Sequence, residues 1–80
     1  MWKIKFESVD EAKEFHDVCV KYTDINVNLI AKHHYVDAKS WMGMLGVIHD
    51  ENIIKYYCDD PYMEKDFIDE IRKAGAYETD

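Results

Sequence analysis

Eighty residues, 48% of them hydrophobic and 14% aromatic, make one small domain (residues 1–80) with enough apolar material for a packed core, which excludes a disordered chain. The formal net charge of −7, from 17 acidic and 10 basic residues, disfavours a broad nucleic-acid surface. No apolar run approaches the roughly 20 residues that cross a bilayer and no signal-like segment opens the chain, so a cytoplasmic protein outside the membrane is expected.

Trp2-Lys3-Ile4-Lys5-Phe6 alternates between apolar and charged residues, which predicts a half-buried strand with Trp2, Ile4 and Phe6 inward. Ser8-Val9-Asp10-Glu11 reads as a capping box, with Ser8 at the N-cap and Glu11 reaching back. An amphipathic helix follows from Val9 to Tyr22, its stripe running through Val9, Ala12, Phe15, Cys19 and Tyr22. His16 falls on the flank of that stripe. Ile25 to Leu29 alternates again, Ile25, Val27 and Leu29 inward and Asn26 and Asn28 outward. Ala31-Lys32-His33 forms a hairpin tip without the usual glycine or Asn-Gly, and His34 to Asp37 returns as a third strand.

Ser40 then opens a short apolar stretch, Trp41-Met42-Gly43-Met44-Leu45, closed by Gly46. One or two helical turns fit, with Ser40 accepting from free amides and Gly46 available for a left-handed cap. So short a helix cannot bury Trp41, Met42, Met44 and Leu45 on one side, so part of that surface is left for a partner. His49 to Asn52 is a polar turn, and Ile53 to Cys58 a fourth strand with Ile54, Tyr56 and Cys58 inward. Asp60 caps the last helix with Pro61 in its first position, the stripe runs through Met63, Phe67, Ile68, Ile71 and Ala74, and Gly75 ends it. The tail, Ala76 to Asp80, is expected to fray. The element order is βαββαβα, an α+β open-faced two-layer sandwich with one wet sheet face and one face covered by helices.

Lys39-Ser40-Trp41-Met42-Gly43-Met44 resembles the Lys-Ser-(Ile/Leu)-Met-Gly-Val run of HPr, the histidine-containing phosphocarrier of the bacterial sugar phosphotransferase system. Asp24-Ile25-Asn26-Val27-Asn28-Leu29 resembles that family's second strand, and the element order agrees over the whole chain. The resemblance implies a four-stranded antiparallel sheet of order 1-4-2-3, covered on one face by three helices, the first and last side by side and the short one apart. It also implies that Ser40 matches a serine phosphorylated by an ATP-dependent kinase, after which the protein binds a transcriptional regulator. A phosphate there would meet free helix amides, with Lys39 placed to pair with it.

The chain departs from the family where the phosphocarrier histidine opens the first helix. The segment reads Phe6-Glu7-Ser8-Val9-Asp10-Glu11-Ala12, so the histidine position falls near Val9, and the arginine and proline positions near Glu11 and Ala12. No nucleophile stands there, and three carboxylates would repel a phosphoryl group. His16 is the substitute phosphoacceptor, although it lies about two turns into the helix. His33 and His34 would point to opposite sides of a strand and chelate poorly, so no metal and no cofactor is expected. His49 reads as solvated. Cys19 and Cys58 read as two reduced thiols in a core.

With no nucleophile–base set, Gly-rich phosphate loop or ligand cluster, an enzyme is not expected. The primary reading is a regulatory or adaptor module that has lost histidine phosphotransfer and is modified or bound at the Ser40 helix, with Lys39, Trp41, Met42, Met44 and Leu45 as contact residues. By resemblance, its partners are phosphotransferase-system enzymes, an HPr kinase or a transcriptional regulator. The alternatives are a phosphocarrier working through His16, and a module without phosphate chemistry that self-associates through the wet sheet face or the apolar patch.

Overall fold

The computed structural model describes residues 1–79, in the order β1 (Trp2–Ile4), α1 (Val9–Lys21), β2 (Asn26–Ala31), β3 (His34–Asp37), α2 (Trp41–Leu45), β4 (Asn52–Tyr57), α3 (Pro61–Lys73) and β5 (Tyr77–Glu78). It is an α+β protein with one five-stranded antiparallel sheet of order β3-β2-β4-β1-β5 and three helices. The expected four-stranded sheet of order 1-4-2-3 is corrected here. Each neighbour pair among the first four strands is present, but a fifth strand from the C-terminal tail is added beside β1.

The period-two pattern decides which side of the sheet is dry. Ile4, Val27, Leu29 and Ile54 are at most 4% exposed and pack in one cluster with Ala12, Phe15 and Cys19 of α1, Met44 of α2, and Phe67 and Ile71 of α3. Trp2 shares that side, its ring 5.0 Å from the Arg72 guanidinium, a cation–π contact that ties β1 to α3. Residues between these positions (Lys3, Asn26, Asn28, Ile30, Ile53, Lys55) face the open side.

Local chemistry sets the helix ends. The Glu11 amide donates to Ser8 Oγ at 3.2 Å. Glu11 Oε1 in turn accepts from the Glu7 amide at 3.3 Å, one residue before the N-cap amide of an ordinary capping box. Asp60 Oδ1 accepts from the Tyr62 and Met63 amides, with Pro61 in the first turn. The end of α3 explains why the tail is ordered. Gly75 has φ +107°, Ala76 N–H donates to Ile71 O at 2.9 Å, and Gly75 N–H donates to Arg72 O at 3.1 Å, the paired bonds of a Schellman cap. That cap turns the chain back along β1, where Met1 and Thr79 exchange backbone bonds at 2.8 Å in both directions. A turn that already points the tail at β1 makes the pairing nearly free of further chain entropy.

The hairpin tip is a two-residue loop, Lys32-His33, between the paired residues Ala31 and His34. Lys32 adopts φ +53°, the only positive value at a non-glycine position among the described residues. A side chain there costs about 1 kcal/mol of backbone strain. Its ion pair with Asp50 spans 3.4 Å with the lysine side chain 76% exposed, so it offsets little of that cost. Lys32→Gly is expected to stabilise the protein by about 0.5–1 kcal/mol. Urea unfolding reads this directly, and a loss of stability would show that the ion pair outweighs the strain.

Candidate functional site at the short helix

Asp37 builds the approach to α2. Its Oδ1 accepts from the Lys39 amide and its carbonyl from the Ser40 amide, both at 2.9 Å, which turns the chain out of β3 and leaves Ser40 extended at the N-cap. Ser40 Oγ accepts from Gly43 N–H at 3.3 Å, and the Ser40 carbonyl accepts from Met44 N–H at 3.0 Å. Gly43 sits over β3: a Cβ there would lie 3.4 Å from Val36 Cβ and Ser40 Oγ, at van der Waals contact, so the helix rests closely on the strand. Gly46 does not take the left-handed cap expected of it. Its φ is −72°, and the chain continues through right-handed turns, with its amide donating to the Gly43 carbonyl at 3.1 Å.

The four apolar side chains of α2 divide between core and surface. Met44 is 0% exposed and belongs to the core, which corrects its expected place in the contact surface. Met42 is 82% exposed and Leu45 43% exposed, beside an exposed Ser40. Trp41 is half-buried, its ring 5.4 Å from the His16 ring and 5.8 Å from Lys13 Nζ. Thus α2 is not set apart: it is seated against α1 through Trp41 and His16, and against β3 through Gly43 and Val36. Lys39 does not stand free beside Ser40, since its Nζ donates to Thr23 O at 3.1 Å.

His16 is buried, 8% exposed, with Nδ1 2.9 Å from Ala38 O. It is a core strut between α1 and the segment entering α2, not a helix-flank residue. The apolar face of α1 is wide enough to include it because α2 covers that side. Periodicity within α1 alone does not show this.

The corner at the start of α1 holds a small hollow of about 170 Å³ lined by Phe6, Glu7, Ser8, Val9, Ile48 and His49. Val9 is 56% exposed there. His49 reaches this corner from the loop before β4, a placement that its polar sequence neighbours gave no sign of. His33 and His34 are exposed at and beside the hairpin tip. No group of three or more histidine, cysteine, aspartate or glutamate side chains could hold a metal ion among the described residues. Among the same residues, no helix is long and apolar enough to cross a membrane.

Both cysteines are free thiols, Cys19 buried and Cys58 half-buried with Sγ 3.3 Å from Asp60 O. Burial pushes the Cys19 thiol up to about 12, so it is a packed neutral group and not a nucleophile. On the open sheet face, hydrogen bonds from Tyr77 Oη at 2.9 Å and Lys3 Nζ at 3.3 Å hold the Glu51 carboxyl below its ordinary range.

The likeness to HPr therefore rests on the residues of the Ser40 run and of the second strand. No protein-family model, no curated protein and no solved structure matches the chain.

Proposed function

We propose that the protein is a non-catalytic, HPr-like binding module that engages a protein partner through the outer side of α2 and is regulated by phosphorylation of Ser40. The observation that carries this reading is the division within α2. Met44 and Trp41 fix the helix to the body, while Met42 and Leu45, three residues apart, stay exposed, with an exposed hydroxyl at Ser40. Exposed methionine and leucine beside a modifiable residue suit a contact that is strengthened or blocked by added charge. The charge logic differs from the simple lysine pairing expected from the sequence. Lys39 is engaged by Thr23 O, and Asp37 Oδ1 holds the Lys39 amide, so a phosphate on Ser40 would draw Lys39 away from Thr23 or repel Asp37.

Two labelling reactions test the reading. With ATP and a purified HPr kinase, Ser40 is expected to take up phosphate, and Ser40→Ala to abolish the labelling. With phosphoenolpyruvate and the general phosphotransferase enzyme, no label is expected. Failure of Ser40 to label overturns the regulatory assignment, and acid-labile phosphate on any histidine overturns the non-catalytic one. A second reading, a phosphocarrier using a displaced histidine, is favoured by one observation: His49 lines the corner at the start of α1. It requires label that disappears in His49→Ala, and three acids around that corner (Glu7, Asp10 and Glu11) oppose it.

A further inference from the structure

We infer that the open face of the sheet is a self-association surface, on which a second copy of this chain packs face to face about a two-fold axis. The pairing register places Tyr35, Ile30, Ile53, Lys3 and Tyr77 in one continuous row across all five strands, on the side away from the helices. Tyr35 is 61% and Tyr77 40% exposed, and Tyr57, on the same face toward one end of β4, is 67% exposed. Ile30 and Ile53 sit half-buried at the centre, next to a shallow apolar hollow of about 520 Å³. Branched aliphatics in the middle with tyrosines at both ends are what an interface core and rim require, and they are not what a solvated sheet face requires.

Charge identifies the occupant. The helices carry more acids than bases, with Asp10, Glu11, Glu14 and Asp17 against Lys13 and Lys21 on α1, and Glu64, Asp66, Asp69 and Glu70 against Lys65, Arg72 and Lys73 on α3, so that side is net negative and mildly disfavours a second copy. The open face is balanced. Lys55 lies two residues beyond Ile53 on one side of the apolar row, in register with Asn28 and Asp37. Glu51 lies two residues before Ile53 on the other side, where it already meets Lys3 and Tyr77. Both stand about 7 Å from the row. A two-fold axis laid along the row sets each copy's Lys55 over the other's Glu51 and stacks the Ile30–Ile53 centres on each other, while each Lys3, paired with Glu51 of its own chain, comes opposite its mate and keeps the contact weak. This is the self-complementarity that an isologous contact demands. A nucleic acid would also use exposed aromatics, but it would have to approach a chain of net charge −7.

Area sets the strength. Only β2 and β4 run about 20 Å, and β1, β3 and β5 run about 7–13 Å, so at about 4.8 Å spacing the face offers roughly 330 Å² per copy, about 700 Å² in total. That is below the size of a stable specific interface, so the association is weak and transient.

Sedimentation velocity of the full chain from about 5 μM to about 500 μM is the test. The expected result is a reversible monomer–dimer shift at physiological ionic strength. Tyr35→Lys and Ile53→Lys are each expected to raise the midpoint at least tenfold, with the far-UV spectrum unchanged. Lys55→Glu should weaken the dimer, and the double variant Lys55→Glu/Glu51→Lys should restore it. Ile53, Lys55 and Glu51 are on or beside the central strand, so their effects separate face-to-face packing from pairing of β3 edges. Tyr35 is already exposed, so its substitution keeps the test valid if Ile53→Lys fails to fold. A monomer throughout overturns the inference. So does a dimer that survives Tyr35→Lys and Lys55→Glu but is lost on Met42→Glu, which would move self-association to α2.

Discussion

Asn52→Asp is expected to cost about 4 kcal/mol or more at neutral pH. That is a large part of the roughly 4–12 kcal/mol that holds a domain of this size. Asn52 is 0% exposed at the start of β4, opposite Ile4. Its Nδ2 donates to Val47 O and Asp50 O, both at 3.0 Å, which closes the loop that carries His49 and Glu51. Its Oδ1 has no partner. The amide thus gives one proton to Val47 O, which also accepts from the Asp50 amide at 3.1 Å, and the other to Asp50 O. The isosteric carboxylate has none to give, and it sets a buried negative charge against two carbonyl oxygens. The pH dependence has a definite sign. The substituted carboxyl would titrate above its unfolded value, so the deficit relative to the parent protein shrinks as pH falls and the protonated acid recovers one donor. Guanidinium unfolding at neutral and mildly acidic pH measures it. A deficit below about 1 kcal/mol at neutral pH would show that the loop carbonyls are satisfied by water in solution.

Phe67→Ala is expected to cost about 3–5 kcal/mol, since it empties the centre of the contact between α3, α1 and the sheet. The Phe67 ring is 0% exposed, 5.5 Å from the Tyr22 ring at 79° and 5.3 Å from the Tyr56 ring at 58°. Edge-to-face pairs of this kind add about 0.5–1.5 kcal/mol beyond burial. A second readout is specific to the site. Burial first, and then the 2.8 Å hydrogen bond that Tyr56 Oη donates to Glu64, push the Tyr56 hydroxyl up to about 12. Because the folded value is raised, this group supports the fold below about pH 10 and that support is lost as pH rises toward 12. Opening a cavity beside the ring should let water in and bring the Tyr56 titration down toward 10. An unchanged ultraviolet titration, with stability reduced by less than 1 kcal/mol, would show that the neighbours collapse into the space.

Both substitutions act on what places the candidate sites rather than on the sites themselves. The Asn52 loop carries His49 to the start of α1 and Glu51 to the open sheet face. Phe67 holds α3 against the sheet face opposite the apolar row. Loss of either is expected to loosen binding at α2 or on the open face indirectly, without touching Met42 or Ile53. This separates them from Met42→Glu and Tyr35→Lys, which leave the core intact.

The sequence by itself determined the features whose cause is local. Alternation fixed Ile4, Val27, Leu29 and Ile54 as the dry side of the sheet, and caps fixed the starts of α1, α2 and α3 at Ser8, Ser40 and Asp60. These are legible because a strand repeats every two residues, a helix every 3.6, and a cap bonds within three positions of itself. Only the tertiary structure decided the rest. His16 is buried because α2 lies across α1, and Met44 is buried because the turn of α2 faces the core. The tail forms β5 because the Gly75 cap aims it at β1, and the Tyr35–Tyr77 row exists only once five strands are in register. Each of these depends on which distant segment lies opposite, and a contact between segments tens of residues apart leaves no period in either one.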